Sequence, residues 1–222
     1  MNNNLKVILI TLVSFGAYFL LSELYFSTTR TWLNESLGQI SISHFLTYLL
    51  VGIPIFLGTL VMHKGKIFAE SLGLDQSIFR GFLFALLCTA PMFIGFAIVF
   101  DFNAGISRNR ILIAGVAAGV FEELYFRGFL FGQLIRYTRL GFIASVLLGA
   151  LIFGSVHLYQ GTEMGELAGI FIVTFAGGIL FAWLFAEHGY NIWIPIFLHM
   201  MMNLAWDLFS AGDNALGGIY SN

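Results

Sequence analysis

Seven apolar runs, each close to twenty residues long, constrain this chain more than any other feature. A run of about 20 apolar residues is long enough to cross the hydrocarbon core of a bilayer as a helix. In lipid a helix also satisfies its backbone polar groups internally, which few other structures can do. The runs cover residues 7–25, 44–62, 81–100, 111–135, 141–158, 167–186 and 192–209. Only 10% of the 222 residues are charged and 59% are hydrophobic, with a mean hydropathy of +0.89. A soluble domain carries about 25% charged residues, so this chain cannot cover a surface that faces water. The expected fold is all-α: a polytopic membrane helix bundle of about seven transmembrane helices, forming one membrane domain over residues 1–222.

The first run follows Lys6 and resembles a secretory leader. No small-residue cleavage site follows it, Ser22-Glu23-Leu24 being a poor one, so it is read as a spanning helix. Residues 67–80 are amphipathic enough to lie in the interface before the third span. Lys6, Lys64, Lys66, Arg80, Arg136 and Arg139 fall on the side of the N-terminus, and Arg30, Arg108 and Arg110 on the other. That bias predicts a cytoplasmic N-terminus. The net charge of -2, with no basic stripe or arm, argues against nucleic acid as a partner. The single cysteine, Cys88, has no partner for an internal disulfide. No repeat, low-complexity tract or soluble appendage is expected.

Ionisable residues at bilayer depth are costly, and by default they mark function. The fourth run, AGVAAGVFEELYFRGFLFGQLI, holds Glu122, Glu123 and Arg127. Residues four apart share a helix face, so Glu123 and Arg127 can pair. Glu122 points about 100° away and is free to face a cavity. Such a carboxylate can take a proton from water and return it to a leaving amine. The bland alternative is a packing network of all three charges. FGSVH ends the fifth run with His157, four residues after Phe153. A lone histidine near a helix end, close to Tyr159, Gln160 and Glu163, is more often an interfacial residue than a catalyst. Its functional reading is to polarise one water together with Glu122. PIFLHMMMN places His199 and Asn203 four apart in the last run. Both can donate hydrogen bonds toward one point, as an oxyanion requires, or bridge helices as glue. Pro195 frees a carbonyl one turn before His199.

In order the three motifs read Glu-Glu-x-x-x-Arg, Phe-x-x-x-His and His-x-x-x-Asn. The chain thereby resembles the CPBP family, which includes the type II CAAX prenyl endopeptidases and the bacteriocin-processing and self-immunity (Abi) proteins. The motif-bearing core covers about residues 110–207. The resemblance implies an intramembrane endopeptidase, in which Glu122 and His157 activate the water and His199 and Asn203 hold the oxyanion. Glu123 and Arg127 organise the site, and Phe153 packs beneath it or contacts substrate. It implies as partners the lipid bilayer and a peptide or protein substrate, lipidated or bacteriocin-like. The expected location is integral to a bacterial cell membrane, crossing it several times. No cofactor is expected. Zinc is the alternative, with Glu122, His157 and His199 as ligands, although the zincin signature H-E-x-x-H is absent. Two other readings stay open: a non-proteolytic membrane scaffold or immunity factor, and a transporter with a proton relay.

Overall fold

A computed structural model of the chain describes residues 3–65, 67–218 and 220–221; Lys66, one of the basic residues counted above, lies outside them. The described residues form a helical bundle with no strand among them. Helix α1 spans Asn3–Leu37, α2 Ile40–Val51, α3 Ile53–His63, α4 Phe68–Ser71 and α5 Ile78–Val99. A continuous helix over residues 108–137 is called α6 here. Helices α7, Gly141–Val156, α8, Met164–Glu187, and α9, Trp193–Leu208, complete the bundle.

Every expected span has its helix, with three differences that have physical causes. The first span was expected to stop at Tyr25, where residues 27–36 turn polar. Helix α1 runs on to Leu37 because no glycine or proline lies between Tyr25 and Gly38, whose φ of 66° ends it. At 1.5 Å per residue, its 35 residues make a rod of about 52 Å, against a hydrocarbon core of about 30 Å. The second span is broken into α2 and α3, bent by 42° at Gly52. Pro54 follows at once and brings no N–H to the helix, and Gly52 leaves room in the elbow for the Tyr125 ring. The Tyr125 hydroxyl then donates to the Tyr48 carbonyl at 2.8 Å. Third, residues 67–80, the amphipathic segment before the third span, are not one continuous helix. Only the one-turn α4 appears, because Gly73, with φ at 76°, turns the chain. The segment is pinned to α6 instead: Gln133 Nε2 donates to the Ser71 carbonyl and Arg136 Nη1 to the Glu70 carbonyl.

Helices α1, α5, α7 and α8 are each long and apolar enough to cross a membrane, and the bent α2–α3 pair makes a fifth candidate. The chain is an integral membrane protein, and its side chains follow suit: Val13, Leu20, Phe79, Ile94, Ile98 and Ile172 lie exposed on the outer surface. The helices of the two other apolar runs, α6 and α9, are not among these candidates and carry the polar motifs. Helix α6 is the core of the bundle, in contact with α1, α2, α3, α7, α8 and α9. Every residue from Glu123 to Leu134 is buried, so its charges face protein rather than lipid. Two of its stretches, Ile111–Ala117 and Leu124–Phe131, wind as π-helix. Wide turns of this kind gather at functional sites.

The ends of the bundle sort the basic residues as expected. Asn4 of α1 accepts a hydrogen bond from the Arg139 N–H, which puts Lys6, Arg136 and Arg139 at one end. At the other end Arg110 grips Asp207 with two bonds of 2.9 Å.

Candidate active site

The Glu123 carboxylate is the centre of the polar core. Its side chain is fully buried and Arg127 is almost so. Arg127 Nη1 donates to Glu123 Oε1 at 3.0 Å, across one turn of α6. The same oxygen receives His199 Nδ1 at 2.8 Å from α9. A carboxylate oxygen only accepts, so the His199 proton sits on Nδ1 and its Nε2 carries the lone pair when the ring is neutral. The aromatic rings of α7 and α8 cover the guanidinium: Phe153 lies 4.2 Å from it and Phe181 5.5 Å. Cation–π contacts are strongest where water is excluded, as here. Phe153 also packs its ring 4.4 Å from that of His157, so one side chain joins two motifs.

Glu122 faces the other way, into a cavity of about 210 Å³. Its Oε2 lies 3.9 Å from His157 Nε2. That oxygen is enclosed and takes no hydrogen bond from the described residues. His157 caps the end of α7, and its Nδ1 lies 2.7 Å from the Phe153 carbonyl. A carbonyl cannot donate, so the proton is on Nδ1, and Nε2 presents a lone pair toward Glu122.

The structure thus brings Glu122 and His157 together, and separately Glu123, Arg127, Phe153 and His199. His199 and Asn203 are not among the residues lining the cavity. Asn203 Nδ2 donates instead to the Ala114 carbonyl at 2.8 Å. Ala114 lies in the first π-helical stretch, where the wider winding re-aims backbone groups. Among the described residues no three His, Cys, Asp or Glu side chains come together as a metal-binding group. Glu122, His157 and His199 therefore do not fit zinc as they stand.

Sequence reasoning missed the far wall of the cavity. Tyr18, Phe19, Ser22, Glu23 and Phe26 of α1 and Tyr48 of α2 line it, facing Phe126, Val156 and Tyr159. The signal was present: Tyr18, Ser22 and Phe26 repeat every four residues, as do Phe19 and Glu23, which is one helix face. Neither the Tyr18 nor the Tyr48 hydroxyl is engaged by another protein group among the described residues. Both lie within electrostatic reach of the Glu122 carboxylate. Beyond Phe19, Glu23, Val156 and Tyr159 the cavity continues into a wider crevice walled also by Leu151, Ile152 and Ser155. The crevice is walled by residues of α1 and α7 together with Tyr159.

Residues 107–205 match the family described as "Type II CAAX prenyl endopeptidase Rce1-like". The matched segment holds all seven motif residues and the whole polar core, whereas the α1 and α2 wall of the cavity lies outside it. A Bacillus subtilis (strain 168) protein named "Putative membrane peptidase YdiL" is 36% identical over 93 residues, which is 42% of this chain and 34% of that protein. The similarity thus spans about a third of the relative's length. No solved structure matches.

Proposed function

We propose that this protein is an intramembrane endopeptidase that hydrolyses a peptide bond in a membrane-associated peptide or protein. The observation that carries the reading is the 3.9 Å separation of Glu122 Oε2 and His157 Nε2 across one cavity. A water in the cavity would be shared between the Glu122 carboxylate and His157 Nε2. Both groups are acceptors, so they accept hydrogen bonds from the two O–H groups of the water and turn its lone pair toward an incoming carbonyl carbon. Glu122 is the general base and later the general acid, passing the proton to the leaving amine. His157, fixed by its bond to the Phe153 carbonyl, orients the water. Glu123, Arg127 and Phe153 hold α6, α7 and α9 in register around this pair, with His199 as the α9 anchor. Asn203 serves an oxyanion only if its amide leaves the Ala114 carbonyl, and His199 only if its ring carries both protons. The similarity to a protein named as a membrane peptidase supports the same class of reaction.

Glu122→Gln keeps the size of the side chain and removes the base. The test is to present purified wild type and this variant with quenched fluorogenic peptides carrying an apolar, membrane-spanning flank. Wild-type cleavage with an inactive, normally folded Glu122→Gln protein is the expected result. Near-normal turnover by the variant would remove Glu122 from the mechanism. Peptide binding without cleavage by either protein would favour a scaffold.

A further inference from the structure

We propose that Glu23 is a specificity residue of this site, binding a lysine or arginine side chain of the substrate near the bond to be cut. The inference deepens the endopeptidase reading and rests on it. A peptide bond offered to Glu122 brings its flanking side chains against whatever else walls the same cavity. Glu23 walls that cavity, and it walls the adjoining crevice as well. Phe19, Val156 and Tyr159 are the other residues common to both spaces. These four mark the junction, and Glu23 is its one charged group.

The Glu23 side chain is exposed, and among the described residues it makes no ion pair and accepts no hydrogen bond. Arg30 of the same helix stands two turns further on, about 10 Å along the axis. Tyr18, on the same wall, is within electrostatic reach of both Glu23 and Glu122, so the two carboxylates act on one space. Among the described residues that line the cavity and the crevice there is no lysine or arginine. His157 is the remaining titratable nitrogen base there, and the water-activation step uses its neutral ring. Two anions facing a space without a counter-charge favour a cation in it and repel a further carboxylate.

The remaining walls of the junction select a long basic side chain over a small cation. Phe19 and Tyr159 supply aromatic rings, and Val156, with Leu151 and Ile152 beyond it, supplies apolar surface. Lysine and arginine use both kinds of surface. Their methylene stems pack on apolar groups, and their heads seek a carboxylate or an aromatic face. Depth points the same way. From Lys6 to Glu23, at 1.5 Å per residue, α1 rises about 26 Å, close to the thickness of the hydrocarbon core, about 30 Å. Glu23 therefore stands near the level at which long basic side chains at the end of a membrane-spanning segment reach for water. A substrate whose apolar segment ends in lysine or arginine brings its cation to Glu23 as its backbone approaches Glu122.

The test is a set of quenched fluorogenic peptides with an apolar membrane-spanning flank, each carrying lysine, norleucine or glutamate at one position near the cleaved bond. Vesicles of zwitterionic lipid keep membrane charge from sorting the peptides. At one position wild type should favour lysine over norleucine by roughly fivefold in kcat/KM, the scale of one exposed ion pair, and should disfavour glutamate. Glu23→Gln should level the three, and Glu23→Lys should reverse their order. Ratios between peptides on one protein cancel any loss of folded enzyme. Added salt should shrink the wild-type ratio, which a packing role would not do. Binding of the same peptides to Glu122→Gln protein, read by fluorescence anisotropy, needs no turnover and leaves Glu23 as the sole carboxylate of the cavity. The proposal is overturned if no position shows a lysine preference, or if that preference is the same in wild type, Glu23→Gln and Glu23→Lys, in cleavage or, where no peptide is cleaved, in binding. Cleavage by Glu122→Gln at the wild-type rate is a separate failure, that of the water-activation reading, and the ratios at Glu23 still decide the proposal.

Discussion

Replacing Glu123 with glutamine tests the polar core directly. The substitution keeps the shape and leaves Oε1 as an acceptor for Arg127 Nη1 and His199 Nδ1, now 3.0 and 2.8 Å away. What it removes is the negative charge, and it strands a guanidinium that is 2% exposed. Breaking a buried ion pair from one side costs about 3–5 kcal/mol. The Phe153 and Phe181 faces remain over the cation, and cation–π contacts without water are worth about 2 kcal/mol. The expected loss is therefore at the lower end, about 3 kcal/mol. A chain of this size loses about 2–4 °C per kcal/mol, so the melting temperature should fall by roughly 6–12 °C. Tryptophan fluorescence during heating in a single detergent measures it. Adding Arg127→Met should restore more than half of the loss, since neither charge is then left alone, giving a coupling of about 1–3 kcal/mol. A fall below about 2 °C in the single variant, or no recovery in the double, would refute the proposed pairing.

Asn203→Ala separates two roles for one amide. Loss of its bond to the Ala114 carbonyl should lower stability by about 0.6–2 kcal/mol, with the folded fraction close to wild type in kcat; a fall in kcat of roughly 10²-fold or more without loss of stability would return the amide to the oxyanion. Exhaustive chelation should leave cleavage intact if Glu122 and His157 act alone on the water. One zinc per chain by elemental analysis, with activity lost and regained as it is removed and restored, would defeat that mechanism.

The fold was largely legible because lipid imposes one rule on the whole chain. Hydropathy located a helix for each apolar run, and i, i+4 spacing correctly paired Glu123 with Arg127. What stayed hidden depends on contacts that no local pattern encodes. His199 finds Glu123 across 76 residues, whereas the sequence reading gave it to the oxyanion or, with Glu122 and His157, to zinc. The two π-helical stretches of α6 leave no mark on an apolar periodicity, yet one of them presents the Ala114 carbonyl that takes Asn203. Ser22 and Glu23 were weighed only against a cleavage site, although their spacing from Tyr18 and Phe19 already drew a polar stripe down one face of α1. The elbow at Gly52 was readable from the Gly-Ile-Pro sequence. Its purpose, room for Tyr125, was not.

The crevice between α1 and α7 sets the currency in which a ligand's access is counted. For a ligand that reaches it from the bilayer, the relevant concentration is moles per unit of membrane rather than per unit of water. Each methylene buried in the bilayer adds about 0.8 kcal/mol to partitioning, roughly a fourfold change in apparent KM with the bond-breaking step untouched. Detergent micelles dilute such a ligand at the surface, so two peptides with equal kcat will exchange rank between micelles and vesicles according to their hydrophobic flanks alone.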